Sequence, residues 1–208
     1  MANLTPPNAF CGPLQSGLVL VSMTAKSSAS AFNQKQIIGS APISEFWQAE
    51  IVLPSRKDGE WRDTSAFLMQ LRGGANKCRL YDPHRPLRGA GGLASTVNID
   101  AAAVAGATSI TLKNMVASQA ASLRSDDMFG IGENLYVVMN TAASDVDGKT
   151  TVSFLPPLRK AVAEDDAVNL NKPTGLFTLT SGLDGLSSSH SGFSSQLTLK
   201  FFEDPDFD

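Results

Sequence analysis

Apolar and polar side chains alternate most clearly in FWQAEIVLP, Phe46 to Pro54. Trp47, Ala49, Ile51 and Leu53 share one face, Gln48 and Glu50 the other. This predicts a half-buried strand stopped by Pro54. The period then lengthens. Trp61, Thr64, Leu68 and Leu71, with Phe67 beside them, fall at helical spacing and predict a helix from about Gly59 to Arg72. Asp58 is placed to cap it, and Glu60 suits the positive end of the helix dipole. Gly73 and Gly74 supply the positive φ with which helices commonly end. Lys77 to Tyr81 alternates again, with Cys78 and Leu80 inward and Lys77, Arg79 and Tyr81 outward. Asp82-Pro83 closes this strand, because proline donates no ladder hydrogen bond.

GLVLVSMT (Gly17 to Thr24) is a short run of β-formers, followed by a small polar loop, AKSSASAFNQKQ. RPLRGAGGLAS (Arg85 to Ser95) has the composition of a linker. Beyond it come short strand-like segments at regular spacing: ATSITLKN, MFGIGENLYVVMN, TTVSFLPPLRK and DAVNLN. Glu133-Asn134 and Asp147-Gly148 are turn signals, and Ala117 to Leu123 is predicted as one short helix. This is the pattern of a small β-barrel. After Pro173 follow GLFTLTS, a Gly/Ser-rich loop, and QLTLKFF, in which Leu197, Leu199 and Phe201 face inward and Gln196, Thr198 and Lys200 outward. Residues 1–88 look incomplete, and 173–208 hold too few strands to fold alone. The expected organisation is one β-rich domain built from 1–88 and 173–208 and interrupted by an inserted barrel at 92–172.

Composition narrows the function classes. The chain has 208 residues, 42% hydrophobic and 18% charged, enough for a sizeable core and against global disorder. A net charge of −3 gives no reason to expect nucleic-acid binding. Charge is uneven: Arg56 to Arg88 carries eight basic and four acidic residues, and Asp126 to Asp208 thirteen acidic and five basic. This is either uneven solvation or, in a ring of copies, complementary surfaces that set register. Cys11 and Cys78 lie far apart, without metal-ligand spacing, and read as free thiols. No apolar run reaches the ~20 residues of a membrane helix. The N-terminal MANLTPPNAF lacks the basic and apolar regions of a signal peptide.

Single reactive residues do not make a site. Cys78 near His84 invites a Cys–His nucleophile, but Cys78 occupies an inward strand position suited to packing. His190 with Ser188 or Ser191 imitates part of a triad, yet triad partners meet through the fold and not by adjacency. Gly89 to Gly92 and Gly130 to Gly132 lack phosphate-loop spacing. Asp165, Asp166, Glu203, Asp204, Asp206 and Asp208 lack ordered Ca²⁺-loop spacing and read as solvated acidic surface. The residues therefore predict no catalytic, cofactor-binding or metal site, and no enzyme.

Read with their flanks, SAFNQKQIIG, EFWQAEIVLP and SAFLMQLRGGANKCRLYDPHRPLRG resemble the N-terminal half of a family of phage and prophage distal tail, or tail-tip, proteins. The middle segments GATSITLKNM, LRSDDMFGIGENLYVV, VSFLPPLRKAVAEDDAVNL and KPTGLFTL are similar to that family's inserted module. The resemblance spans roughly Ser30 to Leu179. It implies a mainly β virion protein with a core like the tail-tube fold, a β-sandwich or barrel around one helix. About six copies would form a ring joining the tail-tube protein to the tip-hub protein, assembled in the host cytoplasm, with no cofactor and no membrane insertion. Two alternatives stay open: a host-surface carbohydrate-binding module within 92–172, and a tail-tip hydrolase using Cys78 or His190.

Overall fold

A computed structural model describes residues 3–6, 18–22, 45–53, 58–85, 96–181 and 197–204. The protein is mainly β, with a six-stranded sheet and a closed six-stranded barrel. Strands β1 (Asn3–Leu4), β2 (Leu18–Ser22), β3 (Glu45–Leu53), β4 (Lys77–Leu80), β11 (Gly175–Ser181) and β12 (Leu197–Glu203) form the sheet, in the order β1-β4-β11-β12-β3-β2. Both ends of the chain thus supply it. The central pairs are antiparallel: Phe177 faces Cys78, and Leu199 faces Ile51. Alternation puts Trp47, Ala49, Ile51 and Leu53 of β3 on the buried face, with Leu197, Leu199 and Phe201 of β12.

Helix α1 (Asp58–Gln70) packs Thr64, Phe67 and Leu68 into this core, joined by Leu71 just beyond it. Asp58 is the first helical residue, not a cap outside it. A 3₁₀ turn, Arg72–Gly74, reverses the chain. Gly73 and Gly74 have φ of 64° and 99°, and Arg72 joins them in the left-handed region at 47°. The Gly74 N–H donates to the Leu71 carbonyl at 2.9 Å and so closes the helix end.

The remaining strands are β5 (Val97–Ile99), β6 (Ser109–Lys113), β7 (Met128–Ile131), β8 (Asn134–Val138), β9 (Thr150–Leu155) and β10 (Ala167–Asn169). They close in the order β10-β5-β6-β9-β8-β7, with β7 pairing back onto β10 through Val168 and Ile131. Phe129, Tyr136 and Phe154 meet at its centre, ring centroids 5.2–5.5 Å apart. The β7–β8 turn falls at Gly132-Glu133, one residue earlier than predicted, because Asn134 already pairs with Ile131 and Gly132 takes the positive φ of 59°. The expected helix at 117–123 is absent. There the N–H groups of Ser118, Gln119 and Ser122 donate to Asp145, the Ser144 hydroxyl and Ala142, so partners across the barrel replace an i→i−4 ladder.

The barrel is an internal two-fold repeat. Exchanging β5, β6 and β7 for β8, β9 and β10 leaves the ring order unchanged. Leu123 bridges Ala142 as Val162 bridges Ala103. Asp126 and Asp165 both have left-handed φ, 76° and 70°. The next residue, Asp127 or Asp166, accepts through its carboxylate from the N–H of Arg124 or Ala163, at 2.8 and 2.7 Å. Val138 exchanges backbone bonds with Asp126 and Asp127 just as Ile99 does with Asp165 and Asp166. The repeated Asp-Asp turn explains why both sequences carry this dipeptide: the first residue takes the strained backbone and the second caps the turn.

Candidate functional site

The most elaborate chemistry among the described residues lies where the barrel meets the sheet. Met128, Leu135 and Val137 of the barrel belong to the same apolar cluster as Trp47, Leu80 and Phe177 of the sheet, and Leu155 packs against it. Gly175 lets the chain pass closely, since a Cβ there would lie 3.0 Å from the Leu135 side chain. The Trp47 indole N–H crosses to the Leu135 carbonyl at 3.0 Å.

Polar contacts surround this apolar centre. Arg79 of β4 meets Glu133 of the barrel turn at 2.5 Å, both about one-third exposed. Arg85 meets Asp126 at 3.3 Å and Asp82 at 3.7 Å, and Lys172 lies 5.7 Å from the Tyr81 ring centroid. The basic stretch and part of the acidic one therefore meet within a single chain. The outward face assigned to Arg79 and Tyr81 looks toward the barrel.

Arg159, from the β9–β10 connection, donates to Glu203 at the end of β12, with side chains 4% and 0% exposed. Glu203 Oε2 also accepts the Trp47 backbone N–H at 3.1 Å. The Arg159 backbone N–H donates to the Tyr136 hydroxyl at 3.4 Å. Burial pushes the Glu203 carboxyl up to about 7, against the opposing pull of Arg159 and the backbone of Trp47 and Leu135. Burial also pulls the Arg159 guanidinium down, opposed by Glu203, Tyr136 and Glu45, and it raises the Tyr136 phenol. Glu203 is thus not the solvated tail acid expected. The signal for it was its inward place in the period-two pattern of QLTLKFFE, two residues after Phe201.

Beside the junction a cleft of about 770 Å³ opens between the β7–β8 turn, the 160–162 segment and the strand β10. Thr96, Asn134, Lys160, Asn169 and Asn171 give it polar groups. Its one aromatic lining residue, Tyr136, is buried, as are Phe129 and Phe154.

The other candidate residues that the structure describes serve packing, turns and ion pairs. Cys78 has no exposed surface and packs in the sheet core. His84 follows the Asp82 turn, its N–H donating to Asp82 Oδ1 at 2.8 Å. Asp165 pairs with Lys113 at 2.8 Å, and Asp204 with Lys77 at 2.8 Å. Among the described residues no cluster of three or more His, Cys, Asp or Glu could hold a metal ion, and no helix is long and apolar enough to cross a membrane. Cys11, the glycines 89–92, Ser188, His190, Ser191, Asp206 and Asp208 lie outside the described residues. No family model and no curated protein matches the chain.

Proposed function

We propose that the chain is a structural subunit of a phage tail tip, a distal tail protein that assembles as a ring between tail tube and hub. The ordered motifs from Ser30 to Leu179 suggest it. The observation that carries it furthest is the sheet. It is built from both chain ends over one packed helix, and among the described residues β1 and β2 are its two margins. Strand margins expose unpaired backbone groups, the element through which copies of one chain join side by side. A core like the tail-tube sandwich, and a ring of about six copies, belong to this proposal. The test is to locate the protein in particles by labelled cryo-electron microscopy. A multi-copy ring at the distal end of the tube is expected; a single copy, or none, refutes the proposal.

A second proposal, carbohydrate recognition by the barrel, draws on the cleft and its asparagines. The lack of an exposed aromatic ring in the lining weighs against it, since saccharides stack on such rings. Retention of the full chain on host cell-wall glycans, lost on Asn169→Ala, would favour it over a purely structural part.

A further inference from the structure

Asn134, the first residue of β8, has a side-chain oxygen that the fold leaves unpaired. The residue is 5% exposed, and its Oδ1 is buried without a hydrogen-bond partner. Buried polar atoms are ordinarily paired, so the orphan calls for a reason. The β7–β8 turn uses the Asn134 backbone, which pairs with Ile131 and does not need the carboxamide. Asn98 Oδ1 is unpaired too, but Asn98 does not line the cleft, and its Nδ2 donates to the Asp165 carbonyl at 2.8 Å. In the cleft lining, Asn169 Oδ1 accepts the Asn171 N–H at 3.0 Å. Asn134 lines the same cleft with no such bond at its oxygen.

The surroundings narrow what that carboxamide meets. Val97, Ile131, Val168 and Leu170 make the apolar lining aliphatic, and Tyr136 is only 1% exposed. The charges of the lining cancel: Lys160 offsets Asp166, and Glu133 is paired with Arg79, which is not part of the lining. A neutral, aliphatic, hydrogen-bonding occupant fits such a site better than an ion or a stacked sugar ring. A half-turn about the last torsion of Asn134 exchanges Oδ1 and Nδ2 at small cost, since that torsion is broad and no partner fixes Oδ1. Either way the carboxamide offers a donor and an acceptor side by side. Each residue of an extended chain turns its own N–H and C=O to one side and so presents the complement. We propose that the barrel cleft binds an extended, uncharged peptide segment of a partner protein. The N–H and C=O of one residue pair with the Asn134 carboxamide, and a branched aliphatic side chain rests on Val97, Ile131, Val168 and Leu170. A volume of about 770 Å³ suits a short stretch of such a chain.

The test titrates the full chain, nitrogen-labelled for NMR, with N-acetyl-leucine N-methylamide. That probe carries one residue's N–H and C=O beside a branched aliphatic group. Saturable shifts are expected at the Asn134 side-chain amide and at the Gly130 and Gly132 N–H groups, with a dissociation constant in the millimolar range. Asn134→Leu and Asn134→Ala should each weaken binding about tenfold, the loss of two modest hydrogen bonds. Because the fold leaves Oδ1 unpaired, Asn134→Leu should keep or raise the urea midpoint while it loses the ligand. N-acetylglucosamine should leave the cleft signals unmoved, because the N–H and C=O of a single trans amide point opposite ways. Absence of saturable shifts with the leucine probe overturns the proposal. So does binding undiminished in both variants, or a urea midpoint lowered in both, which would make Asn134 a structural residue. Equal binding of N-acetylglucosamine would also overturn it and give the cleft to saccharides.

Discussion

The two glycines after α1 offer a sharp test of why the chain turns where it does. An added Cβ at Gly73 meets nothing within 4 Å. Gly73→Ala therefore costs only the left-handed backbone penalty, about 1–2 kcal/mol. Gly73→Asn should cost less, because asparagine bonds locally in this conformation. At Gly74 the same Cβ would lie 2.5 Å from the Leu179 carbonyl oxygen and 3.1 Å from Thr178 Cγ2. That oxygen belongs to β11, which pairs with β4 on one side and β12 on the other, so it cannot retreat without disturbing two ladders. Overpacking adds roughly 1–3 kcal/mol, making Gly74→Ala the worse change by about that amount. Urea unfolding of the three variants, compared by midpoint at constant slope, measures the order. A Gly74→Ala protein as stable as Gly73→Ala would show that close approach to β11 does not fix the turn. An asparagine no gentler than alanine at 73 would remove the backbone explanation.

Leu68 has no exposed surface, and Leu68→Ala should cost roughly 2–5 kcal/mol in thermal or urea melts. Cys78→Ser should destabilise more than Cys78→Ala, since it buries a hydroxyl in an apolar cluster, and neither should impair particle assembly beyond its loss of stability. A double-mutant cycle on Arg79 and Glu133 should return a coupling below about 1 kcal/mol, because both side chains remain about one-third exposed. In the repeated turns, Asp127→Ala should cost more than Asp166→Ala, each on the order of 1 kcal/mol, because only Asp127 is buried. Equal melting curves for the last pair would contradict the assignment of their burial.

Features that depend on neighbours along the chain were legible from residue order alone. The alternation of FWQAEIVLP set the buried face of β3, and the spacing of Thr64, Phe67, Leu68 and Leu71 set the face of α1. Gly73 and Gly74 marked the reversal, because only backbone conformation is at stake there. In β9 the same period turns Val152 and Phe154 inward. Strand β5, three residues long, was too short for its alternation to register. The barrel's internal repeat was written in LRSDD and AEDD, but its meaning needed the paired bridges at 123 and 162. Helix 117–123 was lost because its N–H groups found acceptors across the barrel, which no local pattern encodes. The junction is tertiary throughout. Glu203 stands at an inward strand position, where a carboxylate at a strand end ordinarily reaches water. It is buried because folding brings Arg159, Tyr136 and Trp47 over it from three separate segments. Burial is a property of the assembled surroundings, so the acid that looked like surface is a buried group between sheet and barrel.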